Sequence, residues 1–238
     1  MTATPAAPRT VMISGATGGI GRAIAEHLLQ EKHRLSLGCR EPEALAGTPL
    51  GEDPLVQRVA YEATDPDAAE RWVARAVDRF GGVDTVVNVA GILSRVPFLF
   101  AEGDEAEIRR CFEVNVLGPW WLTRAAWPQL LAHGQGRVIN LSSMSGKRVK
   151  GTMAAYPVSK FALQALGQAM RNEGWEAGIR VTSICPAWVN TSMASRVPVD
   201  PTSMIQPAQI AELVAGLLRL GNAAIPQELA LNSQLEIG

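Results

Sequence analysis

Short apolar runs and longer amphipathic runs alternate along this chain, and that alternation is its strongest constraint on fold. "TVMISG", "RLSLGC", "LVQRVAYE", "DTVVNVAG", "GRVINLSS", "IRVTSICP" and "ELALN" read as strands. Between most of them lie stretches with apolar residues at helical spacing. In "GGIGRAIAEHLLQEKH", Ile20, Ile24 and Leu28 share one face. "DPDAAERWVARAVDRF" opens on an acidic cap and a proline, turns Trp72, Val73, Ala76 and Val77 inward, and stops at Gly81-Gly82. A long helical region runs from about Asp104 to His133, another helix carries "YPVSK", and "PAQIAELVAGLLRL" is the last. A strand that returns parallel to its predecessor needs a crossover, so the alternation predicts an α/β fold. It is expected to be a doubly wound, seven-stranded, mostly parallel sheet with helices on both faces. No repeat or compositional break divides the 238 residues; residues 1–8 are expected to be a flexible tail and 9–238 one domain.

A net charge of −1 offers no attraction for nucleic acid or an anionic membrane. No apolar run approaches the length of a membrane span, and the N-terminus lacks the basic-then-apolar pattern of a signal peptide. Cys39, Cys111 and Cys185 lie far apart, and the three histidines form no cluster with other ligand types. Neither a disulfide framework nor a metal site is expected, and a reducing cytoplasm is the simplest home.

The first strand runs into "SGATGGIG", where Gly15, Gly19 and Gly21 occupy a strand-to-helix turn. Glycines there let a ligand approach the backbone, and the free N–H groups of a helix N-terminus favour an anion such as a dinucleotide pyrophosphate. In "AAYPVSKFAL", Tyr156 and Lys160 stand four positions apart on one face of a helix that Pro157 allows only in its first turn.

The spacing G-x-x-x-G-x-G resembles the single-domain short-chain dehydrogenase/reductases, and the resemblance continues down nearly the whole chain. "NVAG" at 88–91 is similar to the family's N-N-A-G segment, and "VNVLG" supplies Asn115 at the position of its active-site asparagine. "INLSSMSG" supplies Ser143, thirteen residues before Tyr156, and "YPVSK" matches Y-x-x-x-K. The resemblance implies a nicotinamide-dependent oxidoreductase with Asn115, Ser143, Tyr156 and Lys160 as its catalytic set. It implies cofactor contacts from Gly15, Thr17, Gly19, Ile20 and Gly21 in the glycine turn and from Arg40 after the second strand. Further contacts are implied from Glu62 and Ala63, from Asn88, Ala90 and Gly91, from Tyr156 and Lys160, and from Pro186, Ala187, Val189 and Thr191. Val89 departs from the second asparagine of N-N-A-G; Ala187 replaces a glycine and is expected to crowd the nicotinamide carboxamide; Glu62 stands where many members have aspartate.

An unperturbed tyrosine, with a pKa of about 10, exchanges protons poorly near neutrality. Lys160 one turn away is expected to favour the phenolate and lower that value, together with the charge of an oxidised nicotinamide. By resemblance Lys160 also holds the nicotinamide ribose, Ser143 hydrogen-bonds the substrate oxygen, and Asn115 helps to hold a water chain. Ser143 lies in no nucleophile elbow, which argues against covalent catalysis.

An acid at the end of the second strand would select NAD; here Cys39 stands there and Arg40 follows, which favours NADP(H). The segment "AWVNTSMASRVPVDPTSMIQP" is expected to be a short lid over the substrate. "SGKRVKG" holds Lys147, Arg148 and Lys150, either a solvated run or an attraction for an acidic or carrier-linked substrate. The expected activity is that of a carbonyl reductase of the 3-oxoacyl type using NADPH. Oxidation of a secondary alcohol with NAD is the alternative, and a non-catalytic nucleotide sensor is a further one; an epimerase of the larger form would not fit in 238 residues. The apolar faces of "GPWWLTRAAW" and "KFALQALGQAM" suggest a homotetramer or homodimer.

Overall fold

The computed structural model describes residues 7–233, so six of the eight residues assigned to the tail lie outside the described ones. The strands are β1 (Thr10–Ser14), β2 (Arg34–Cys39), β3 (Val56–Ala60), β4 (Thr85–Asn88), β5 (Arg137–Leu141), β6 (Arg180–Pro186) and β7 (Glu228–Leu231). They form one sheet in the order β3-β2-β1-β4-β5-β6-β7, and every neighbouring pair is parallel. The helices are α1 (Gly19–Gln30), the short α2 (Pro49–Glu52), α3 (Pro66–Phe80), α4 (Glu105–Phe112), α5 (Gly118–His133), α6 (Ala155–Gly174) and α7 (Pro207–Arg219).

Alternate strand residues feed opposite faces of the sheet. Val11 and Ile13 join Ile24, Leu28 and Val214 in the core under α1 and α7. Met12, between them in sequence, joins Trp72, Leu122 and Leu163 under α3, α5 and α6. This double burial is why the strands read as near-continuous apolar runs.

Helix ends follow the local chemistry. Asp65 caps α3 by accepting from the Asp67 N–H at 2.9 Å, Pro66 occupies the first turn, and Gly81 ends the helix at φ 80°. Pro157 sits in the first turn of α6. The long helical region expected from 104 to 133 is interrupted by one wide, π-type turn at Glu113–Leu117.

At the amino-terminal edge of the sheet, Arg9 and Asp84 form a buried ion pair at 3.1 Å, and Asp84 also accepts from the Thr10 N–H at 2.8 Å. The opposite, carboxyl edge is where the order reverses between β1 and β4. Connections leave in opposite directions there, which opens a crevice for a ligand.

Candidate active site

Two adjoining cavities occupy that crevice. The first, about 360 Å³, lies on the glycine turn and is lined by Gly15, Thr17, Gly19, Ile20 and Gly21. Arg40, Glu62, Ala63, Ala90, Gly91 and Thr191 complete its expected members. Gly15 has φ 71°, and a Cβ there would lie 2.9 Å from the Ala90 backbone. Its N–H donates to the Gly38 carbonyl at 2.8 Å, fastening the turn to β2. Ser14 Oγ accepts from the Val89 and Ala90 N–H groups at 3.1 and 3.2 Å, holding the far wall. A glycine cradle at the start of α1, closed by a side chain at any of several positions, fits a dinucleotide pyrophosphate. Glu62 forms an ion pair with Arg110 at 3.6 Å, while Arg40 is exposed beside Cys39.

The second cavity, about 430 Å³, shares Ile20 and Thr191 with the first and contains Ser143, Tyr156, Pro186, Ala187 and Val189. Ser143 caps the short turn Met144–Gly146, its Oγ accepting from the Ser145 N–H at 3.0 Å. Tyr156 opens α6 and is 9 % exposed. The lid segment supplies Trp188, Met193 and Val197 to this cavity, and its base is pinned by a parallel bridge between Val189 and Ile205.

Lys160 and Asn115 lie behind the cavity walls. Lys160 is 4 % exposed and its Nζ donates to the Leu141 carbonyl at 2.9 Å. Both residues face Gly91, where a Cβ would meet Asn115 Oδ1 at 3.3 Å and Lys160 Nζ at 3.6 Å. Asn115 sits on the π-type turn; its Nδ2 donates to the Ile92 carbonyl at 2.9 Å and to Ser159 Oγ at 3.0 Å, and its Oδ1 accepts from the Ile92 N–H at 2.8 Å. The resemblance implied a water-holding group; the geometry here is a brace between α6 and the loop after β4. Asn88 lines neither cavity: its Nδ2 donates to Thr123 Oγ1 at 3.1 Å and to Asn140 Oδ1 at 2.8 Å, underneath the crevice.

The direction of the tyrosine shift differs from the expectation. Burial pushes the Tyr156 phenol up to about 12, and the nearby Ser143 hydroxyl only partly offsets it. Burial likewise lowers the Lys160 ammonium to about 8. Lys160 Nζ stands 5.7 Å from the Tyr156 ring centroid, and burial rather than that ammonium sets the direction of the phenol's shift.

Sequence reasoning missed Arg95 and Arg196, which line the second cavity, and Ser159, which joins Asn115 to α6 through its own bond to the Tyr156 carbonyl at 2.7 Å. No local pattern marks them, because the segments that carry them meet only in the fold.

The site thus joins a doubly wound sheet, a glycine cradle at its switch point and a serine–tyrosine pair beside that cradle. The sequence model of the short chain dehydrogenase family matches residues 9–201, and the chain belongs to that family. It is 35% identical over 215 residues to an agropine synthesis reductase of Rhizobium rhizogenes, covering 90% of this chain and 50% of that protein. The chain thus spans about half the length of that curated relative. An alcohol dehydrogenase of the archaeon Thermococcus sibiricus, complexed with 5-hydroxy-NADP, superposes with a TM-score of 0.85 at 27% identity, covering 97% of this chain and 98% of that one. A short chain dehydrogenase of Burkholderia cenocepacia in complex with NADP gives a TM-score of 0.81 at 27% identity, covering 95% and 88%.

Proposed function

We propose that this chain is an NADPH-dependent reductase of a small ketone, with Tyr156 as proton donor, Ser143 as its partner on the carbonyl oxygen and Lys160 and Asn115 as positioning residues. The observation that carries this reading is the placement of Tyr156 and Ser143 in one cavity that adjoins the glycine cradle. Gly15, Thr17, Gly19, Ile20 and Gly21 would hold the cofactor's phosphates, Arg40, Glu62 and Ala63 its adenosine end, and Ala90, Gly91, Pro186, Ala187, Val189 and Thr191 the stretch toward the nicotinamide. A nicotinamide held there would supply the hydride that reduces the carbonyl carbon. Tyr156 gives its proton to the carbonyl oxygen as the C=O π bond breaks, and Ser143 donates a hydrogen bond to the same oxygen. Lys160, buried one turn along, stabilises the phenolate left behind.

The direction of the shift sets the pH dependence. A phenol at about 12 is protonated throughout the working range, so reduction does not wait for Tyr156 to take up a proton. Oxidation of the corresponding alcohol needs the phenolate, whose population rises about tenfold per pH unit below that value. With a panel of ketones and secondary alcohols, the oxidative rate is expected to climb between about pH 6 and 10 while the reductive rate does not. An oxidative rate independent of pH would remove Tyr156 as the base.

NADP(H) is favoured over NAD(H) because the strand end offers Cys39 and an exposed Arg40 in place of a ribose-binding acid, and Glu62 already has Arg110 as partner. Arg40→Ala is expected to weaken NADPH binding by about ten- to hundredfold and to leave NADH unaffected. Fluorescence titration with both cofactors reads this directly; equal loss for the two would refute the assignment.

Trp120 on α5 and Val158 and Phe161 on α6 are exposed apolar side chains on the two helices flanking β5. They support assembly through these helices into a homotetramer, or failing that a homodimer. Light scattering at micromolar concentration should show more than the 25.4 kDa of one chain. Three unpaired, buried thiols suit a reducing compartment such as the cytoplasm.

A further inference from the structure

The cavity above Ser143 and Tyr156 is lined by four cationic side chains and, among the described residues, by no aspartate or glutamate. The whole chain is nearly balanced, with 22 lysines and arginines against 23 acids, so composition does not account for a single-sign lining. The four cations come from three different segments at the carboxyl edge: Arg95 after β4, Arg148 and Lys150 after β5, and Arg196 after β6.

The fold holds these segments together. An antiparallel bridge joins Pro97 to Met153, and the Val96 carbonyl accepts from the N–H groups of Ala154 and Ala155 at 2.9 and 3.2 Å. That seam sets the Arg95 segment beside the Lys150 segment. The Val189–Ile205 bridge closes the base of the segment that carries Arg196. Arg95 and Arg196 are exposed, and neither side chain has an ion-pair partner among the described residues. Lys147, from the same basic run as Arg148 and Lys150, lies outside the cavity and pairs with Glu228 at 2.9 Å. The fold therefore divides that run between Lys147, outside the cavity, and Arg148 and Lys150 on its wall.

Depth adds a second constraint. The hydroxyls lie inside, with Tyr156 buried and Ser143 half-buried, whereas Arg95, Lys150 and Arg196 are exposed at the mouth. Between them the wall is apolar, with Leu93, Met153, Trp188 and Val197. Arg95 and Arg196 place two cations without an ion-pair partner among the described residues at that mouth, and an anion seated between them offsets both and is steered inward.

We propose that the substrate is an oxo compound carrying a carboxylate or phosphate at the end remote from the reacting carbonyl, with an apolar span between the two. Arg95 and Arg196 then determine specificity by binding that anion. The assignment rests on the reductase reading given above, and its test includes a binding measurement that needs no turnover.

A length series of oxocarboxylates, each paired with its methyl ester, would be assayed with NADPH, together with an oxoalkyl phosphate of matched length against its free alcohol to separate carboxylate from phosphate. The anion of the preferred pair is expected to have a kcat/KM about tenfold or more above its neutral partner, with the difference shrinking as salt is raised. The double variant R95Q/R196Q should lower kcat/KM for the anion about tenfold more than for the ester, mainly through KM. Lys147→Gln, outside the cavity, should change neither. Calorimetric titration with heptanoate and with its primary amide reads the same site without chemistry: heptanoate should bind more tightly, and R95Q/R196Q should abolish the difference. Neutral partners preferred throughout, or a double variant that slows acid and ester equally, would overturn the proposal. Arginine-dependent heptanoate binding in a protein that reduces no carbonyl compound would instead overturn the reductase reading and keep the anion site.

Discussion

Tyr156→Phe is expected to lower turnover by about 10²–10⁴-fold while nicotinamide cofactor affinity stays nearly unchanged, the range that general acid–base catalysis supplies. The ring is buried at the start of α6 and keeps its packing in the variant. Lys160 keeps its bond to the Leu141 carbonyl, and Ser159 keeps its bond to the backbone of residue 156. Only the phenolic hydroxyl beside Ser143 is removed. Steady-state rates beside a cofactor titration separate the two effects. A variant retaining half of its activity would take Tyr156 out of the chemistry, and one that lost cofactor binding in proportion would show a structural role instead.

The largest expected effect on stability is at Trp72. Its indole is fully buried, its Nε1 donates to Ser36 Oγ at 2.8 Å, and its ring meets Tyr61 at a centroid distance of 4.7 Å. The six-membered edge of the indole fills the space above Gly38, where a Cβ would collide with it. Trp72→Ala removes this packing and opens a cavity between α3 and β2, for which a loss of about 3–5 kcal/mol is expected. For a chain of this size that corresponds to a fall in Tm of roughly 6–20 °C. Thermal unfolding followed by circular dichroism measures it; a shift of a degree or less would show that α3 is not fastened through Trp72. Trp72→Phe, which keeps an aromatic ring but not the hydrogen bond, should lie between the two.

Trp72 also shows how far the sequence could be read. Its helical spacing with Val73 and Ala76 marks it as inward-facing, and it is so placed. That a glycine on β2 makes room for it is not legible, because the two positions are 34 residues apart and meet only where α3 packs on β2. Asn115 is similar. The motif around it is local, but the wide turn that presents it and its bonds to Ile92 and Ser159 depend on how α4, α5 and α6 pack. Asn88 was expected at the cofactor and lies under the crevice, bonded to Asn140 on the neighbouring strand.

The sequence by itself determined the seven strands and the helices between them, the parallel winding, the glycine turn and the helical register that puts Tyr156 and Lys160 on one face. These follow from periodicity, turn chemistry and short motifs, which act over a few residues and so are written locally. Only the tertiary structure decided how deeply that pair is buried, and hence that desolvation raises the phenol and lowers the ammonium. It also decided that Arg95, Arg148, Lys150 and Arg196 share one cavity while Lys147 does not. Burial and charge convergence depend on segments far apart in the chain being brought to one edge of the sheet, and no local pattern encodes that distance.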